Sequence, residues 1–167
     1  MDFHPRFQAK RKTYEYRIFR EEICPPFERN FVHHYPYPLA EDMMIRAALV
    51  FEGEHDFSAF AAADDKRDAL GYSKVRRIFT SKLEACGPKL IYRVTGSGFL
   101  KHMVRNMVGV LIEAGRGNIS IEGLGERLQT GNTFRAGPTA PASGLFLVSV
   151  DYSDYPPTPI ASFLSAE

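Results

Sequence analysis

Thiols are scarce in this sequence: Cys24 and Cys86 are its only cysteines. That is too few for a disulfide scaffold, and they lie in no metal-ligand spacing, so the pair is read as packing residues in a reducing compartment. No apolar run approaches the roughly 18 residues that a bilayer-spanning helix needs. Residues 1–6 also lack the apolar core of a signal peptide, so the expected location is cytoplasmic, with no membrane partner. Net charge is nearly absent too: 21 Lys and Arg against 20 Asp and Glu leave +1, which removes any global electrostatic argument for nucleic acid. Internal repeats and low-complexity tracts are missing. What remains is ordinary: 44% hydrophobic and 25% charged residues match a soluble globular chain rather than a disordered or fibrous one. A length of 167 residues suits one domain with a full core. The expected division is a domain over 1–152 and a Pro-containing tail over 153–167.

Charge is uneven along the chain. Arg6, Lys10, Arg11, Lys12, Arg17 and Arg20 make the N-terminal part locally basic, whereas Glu41, Asp42, Glu122 and Glu126 fall on expected helical surfaces. Residues 14–20 alternate Tyr14, Tyr16 and Ile18 on one face and predict a strand. Pro25, Pro26, Pro36 and Pro38 then keep the chain extended. From Leu39, Met43, Met44, Ala47, Val50 and Phe51 fall at helical spacing, with Glu41 and Asp42 in the first turn and a stop at Gly53. Residues 61–72 read as a solvated loop, 75–83 and 90–95 as a hairpin turning at Gly87 and Pro88. The apolar stripe of Leu100, Met103, Val104, Met107, Val108, Leu111 and Ile112 predicts a helix directly after Gly98. A short helix capped by Ser120 runs to Gln129, and a last strand runs from Leu145 to Tyr152. The order of elements predicts an α+β fold, an antiparallel sheet with helices packed on one face.

Several groups of residues could carry chemistry. Lys101 and Arg105, four apart, share a helix face as like charges, an arrangement that gains if an anion lies between them. Gly96-Ser97-Gly98 would leave free N–H groups at the helix start, and His102 could touch the same anion. A solvated basic face beside a buried stripe fits the same spacing. Phe3, His4, Arg6 and Phe7 interleave aromatics with hydrogen-bonding and cationic groups, the composition of surfaces that stack bases and hold phosphates; Phe3 and Phe7 equally suit the core of an edge segment. Tyr16 reads as a packed ring with a satisfied hydroxyl and Tyr14 as the better base-stacking candidate. Gly53 to Phe57 contains possible metal ligands, but consecutive residues cannot converge from one element, so a helix-ending turn with capping side chains is expected and no metal. Residues 137–144 lack a Walker lysine but could offer backbone groups to a base.

Four blocks together resemble the tRNA pseudouridine synthase A family. They are Phe-His-Pro-Arg-Phe with Lys-Thr-Tyr-Glu-Tyr-Arg-Ile, Gly-Glu-His-Asp-Phe-Ser-Ala-Phe, Gly-Phe-Leu-Lys-His-Met-Val-Arg-Asn-Met-Val-Gly, and Ala-Pro-Ala-Ser-Gly-Leu-Phe-Leu-Val-Ser-Val-Asp-Tyr. The resemblance implies a cofactor-free, metal-independent isomerase that turns uridine into pseudouridine in the tRNA anticodon stem-loop. It implies Tyr14 as the tyrosine packing on uracil and Arg105 as the partner that keeps a nucleophilic aspartate ionised, with Lys101 and His102 at the substrate. Phe3, His4, Arg6, Phe7, Lys10, Arg11 and Lys12, and the loop with Asp64, Asp65, Lys66 and Arg67, would contact tRNA. The family's Arg-Thr-Asp-Ala-Gly motif is not in these 167 residues. The expectation is therefore a C-terminal half, inactive alone, whose partners are an N-terminal half and, as the family implies, a second copy in a homodimer. The alternative is a non-catalytic RNA-binding module with a degenerate form of the same fold.

Overall fold

Strand β1 (Arg11–Phe19) organises the sheet because it is paired on both edges. Along its length it runs antiparallel to β5 (Lys89–Gly96). Its other edge is shared: β6 (Leu145–Asp151) lies antiparallel beside residues 11–16, and the two-residue β2 (His33–His34) lies parallel beside Ile18 and Phe19. Beyond β5 come β4 (Val75–Cys86) and β3 (Gly53–Asp56), each antiparallel to its neighbour. The computed structural model describes residues 8–64, 70–129 and 136–152. Phe3, His4, Arg6, Phe7, Asp65, Lys66, Arg67 and the tail lie outside them.

The α+β expectation matches this mixed sheet, with α1 (Glu41–Val50), α2 (Met103–Gly115) and α3 (Ile121–Gln129) supplying the helices. Tyr16, Ile18, Leu83, Leu90, Tyr92 and Val94 join Met44, Phe51, Phe57, Phe60 and Met107 in one buried core. The hairpin turns at Gly87, φ +55, a left-handed conformation that glycine adopts without a Cβ clash. Ser120 caps α3, its Oγ accepting the Gly123 N–H at 3.0 Å. Acidic Glu41 and Asp42 occupy the first turn of α1.

Four local expectations fail. Residues 53–56 form strand β3, not a capped turn: Gly53 at φ +106 swings the chain out of α1 and its backbone completes the open edge of β4. Four residues with no alternation leave no period-2 signal. The second difference is the start of α2, five residues after Gly98. Ser97 still belongs to the sheet, its N–H donating to the Arg77 carbonyl at 2.9 Å and its Oγ accepting the Arg77 N–H at 3.3 Å. Gly96-Ser97-Gly98 is thus no helix N-terminus. Third, α2 has no solvated face, since all its residues except Arg105 and Glu113 are buried. The cysteines also depart from expectation: Cys86 is exposed and Cys24 only half-buried.

Candidate active site

Tyr14 and Tyr16 project from the same face of β1, about 7 Å apart along the strand. Tyr14 is half-buried, with the Phe99 ring edge-on at 5.1 Å between centroids. It sits beside a β-bulge: Thr13 pairs with Ser149 and Tyr14 with Leu147, so Val148 is the extra residue. Bulges of this kind re-aim side chains and recur beside active sites. Burial raises the Tyr14 phenol above its ordinary pKa, so it stays protonated at neutral pH. Tyr16 fits its expected role, fully buried with its hydroxyl donating to the Pro141 carbonyl at 2.6 Å. Burial raises its pKa strongly, and the positive charge of Arg105 opposes that rise.

Arg105 enters from α2, the third residue of that helix. Its Nε–H donates to the Ala140 carbonyl at 2.7 Å, and the Ala140 N–H donates back to the Arg105 carbonyl at 3.1 Å. Next to it, Asn106 is 1% exposed; its Nδ2 donates to the Phe60 carbonyl and its Oδ1 accepts from Thr139 Oγ1, both at 2.6 Å. One turn on, a Cβ at Gly109 would lie 1.7 Å from the Pro138 carbonyl oxygen, so only glycine admits the chain here. Residues 136–144 therefore form a strap running from α2 to β1. The Ala136 N–H donates to the Ala59 carbonyl at 2.9 Å at one end, and at the other Gly144 lies so close to β1 that a Cβ would meet Tyr16 and Arg17 at 2.8 Å. The strap's carbonyls at Ala140 and Pro141 accept from Arg105 and Tyr16.

Lys101 and Arg105 do not share a helix face. His102, between them, has φ +60, a left-handed turn that ends the 98–102 connection before α2 begins. Lys101 is exposed, and its Nζ lies 3.4 Å from the Ala63 carbonyl. It lines a shallow cleft with Asp64, Tyr72, Lys74 and Arg76, which brings together two residues that the sequence singled out separately, Lys101 and Asp64. His102 is exposed beside it.

The basic run at the start of β1 is split by strand alternation. Lys12 shares the Tyr14 face and pairs in register with Gly96 and Val150, while Arg11 lies on the opposite face with its guanidinium carbon 5.0 Å from the Phe79 centroid. Lys10 is exposed, its N–H donating to the Asp151 carbonyl at 2.7 Å. Among the described residues no three His, Cys, Asp or Glu side chains gather as metal ligands, and no helix is long and apolar enough to cross a membrane.

Asn106, Gly109 and Thr139 were missed from the sequence. Asn106 carried the one usable signal, an amide within a run of buried helix positions, where a polar group needs partners. Thr139 becomes visible only once the strap is folded.

A family model described as tRNA pseudouridine synthase matches residues 47–153. The chain is 60% identical over 152 residues to "tRNA pseudouridine synthase A" of Solibacter usitatus (strain Ellin6076), covering 90% of this chain and 60% of that protein. It is 39% identical over 154 residues to "tRNA pseudouridine synthase A 1" of Bacillus thuringiensis subsp. konkukian (strain 97-27), covering 92% and 60%. To "tRNA pseudouridine synthase A" of Limosilactobacillus reuteri (strain DSM 20016) it is 40% identical over 153 residues, covering 90% and 58%. The chain spans about three fifths of the length of these curated relatives.

Proposed function

The chain belongs to the tRNA pseudouridine synthase family, and on that premise we propose that it supplies the base-holding and aspartate-pairing side of a site that isomerises uridine to pseudouridine in the tRNA anticodon stem-loop. One observation carries this reading. Tyr16, two residues along β1 from Tyr14, donates its hydroxyl to the Pro141 carbonyl, and the neighbouring Ala140 carbonyl holds Arg105, so one strap ties the strand of Tyr14 to the helix of Arg105, 91 positions away in sequence.

In the proposed reaction an aspartate attacks the target nucleotide, the glycosidic bond breaks, and the uracil turns and rejoins the ribose through carbon 5. Tyr14 packs on the uracil, and its raised pKa keeps it a neutral phenol throughout. Arg105 faces the aspartate and favours its ionised form by charge. The aspartate comes from a preceding half of the enzyme, because Arg-Thr-Asp-Ala-Gly is not among these 167 residues. No cofactor or metal is required. Lys101, His102, Lys10, Arg11, Lys12 and Asp64 line the path of the tRNA, joined by Phe3, His4, Arg6, Phe7, Asp65, Lys66 and Arg67. The complete enzyme works in the cytoplasm as a homodimer.

Supplying the chain with a separate aspartate-bearing half tests this. Pseudouridine formation, read by nucleoside analysis of tRNA, is expected only with both parts present. Arg105→Ala or Tyr14→Ala should then lower turnover by about 100-fold or more. Undiminished turnover in those variants would remove both residues from the site. The second reading, a non-catalytic RNA-binding module, draws on the absent nucleophile motif alone. It predicts salt-dependent binding of an anticodon stem-loop with no turnover even when the aspartate half is added.

A further inference from the structure

On the reading that Arg105 addresses the nucleophilic aspartate, we propose that Asn106, Thr139 and Gly109 are positioning residues that set the direction of the Arg105 guanidinium through the strap. The three helix positions 105, 106 and 109 meet Ala140, Thr139 and Pro138 in reverse order, so helix and strap are fastened residue against residue. Arg105 has a long side chain with many rotamers; tying Nε to the Ala140 carbonyl at 2.7 Å selects among them. Among the described residues its terminal nitrogens make no hydrogen bond, which leaves them for the aspartate.

The direction of the Ala140 carbonyl is then what matters. The strap is already held at Ala136 by the Ala59 carbonyl and at Pro141 by the Tyr16 hydroxyl. The fastening at Thr139 and Pro138 lies between these anchors. Its particular effect is to fix the peptide groups of residues 138–140. Asn106 suits this task because it donates and accepts at once: aspartate could not donate to the Phe60 carbonyl, and leucine would leave that carbonyl and the Thr139 hydroxyl without this partner. Gly109 lets Pro138 approach so near that any side chain would push the strap outward.

Thr139→Val removes one hydroxyl at a half-buried position and threatens the fold less than a change at Asn106. In the chain supplied with the aspartate-bearing half, it is expected to lower kcat about tenfold with KM within about twofold. Thr139→Ser restores kcat. In an Arg105→Lys background, the same Thr139→Val change should alter kcat less than about twofold, since residues acting through one group are not additive. Unchanged kcat in Thr139→Val, or a tenfold loss that persists beside Arg105→Lys, overturns the proposal. A second measurement needs no turnover. The Arg105 Nε–Hε resonance, identified by its loss in Arg105→Lys, should exchange with solvent faster in Thr139→Val and in Gly109→Ala. Unaltered exchange in both also overturns the proposal. This measurement decides it even if the unsubstituted protein makes no pseudouridine, a result that would sink the functional reading alone.

Discussion

Glu15 shows how a single residue on the back of the sheet answers to its neighbours. It is 8% exposed, between Arg17 at 2.8 Å and Arg93 at 2.5 Å. Burial alone would raise its carboxyl pKa, but hydrogen bonds and charge from Arg93 and Arg17 outweigh burial and hold it below its ordinary 4.5. A carboxyl that binds its proton less readily when folded stabilises the fold above its unfolded pKa. That contribution is lost as pH falls through the lower, folded value. The stability gap between wild type and Glu15→Gln should therefore be wide at pH 7 and narrow at about pH 3, as urea midpoints will report. Equal gaps at both pH values would contradict it. Gly144 makes the second residue-scale case: Gly144→Ala forces a methyl against the Arg17 carbonyl and the Tyr16 ring at 2.8 Å. A loss of about 1–3 kcal/mol in unfolding free energy is expected.

Elements come next, and the connection into α2 is where they are most informative. His102 at φ +60 tolerates glycine or asparagine but not a β-branched side chain. His102→Val should cost about 1–2 kcal/mol more than His102→Gly in chemical unfolding. The stripe from Leu100 to Ile112 announced this helix correctly, yet it could not announce where the helix begins, because Ser97 is held by Arg77 across the sheet and that bond is tertiary. The face shared by Tyr14 and Tyr16 was legible for a different reason: strict alternation puts both on one side of a strand. The shared face of Lys101 and Arg105 was misread because helical spacing was assumed through a left-handed residue. Strand β3 and the strap escaped altogether. Their order comes from the left-handed backbone at Gly53 and the close backbone approach at Gly109, and no periodic pattern records either. The four sequence blocks carried the family, whereas the strap whose Ala140 carbonyl holds Arg105 had to be seen folded.

At the scale of the whole molecule, β6 leaves one edge without a strand among the described residues, and its Leu147 and Val148 are 55% and 52% exposed. An apolar strand edge invites pairing with another chain. The isolated chain should associate in a concentration-dependent way, and Leu147→Lys should weaken that association by about tenfold or more; sedimentation velocity will show it. A monomer at all concentrations would mean the edge is already covered.

The shared edge of β1 also governs when this part of the protein can take shape. Once Tyr16 has been translated, its hydroxyl waits for Pro141, 125 residues later. Until that stretch clears the ribosome, β1 lacks β6 along residues 11–16, and neither Arg105 nor Tyr16 has its carbonyl. Completion of the sheet is thus held back until the strap and β6 have been made, and until then that edge of β1, the strand that bears Tyr14, is unpaired along residues 11–16.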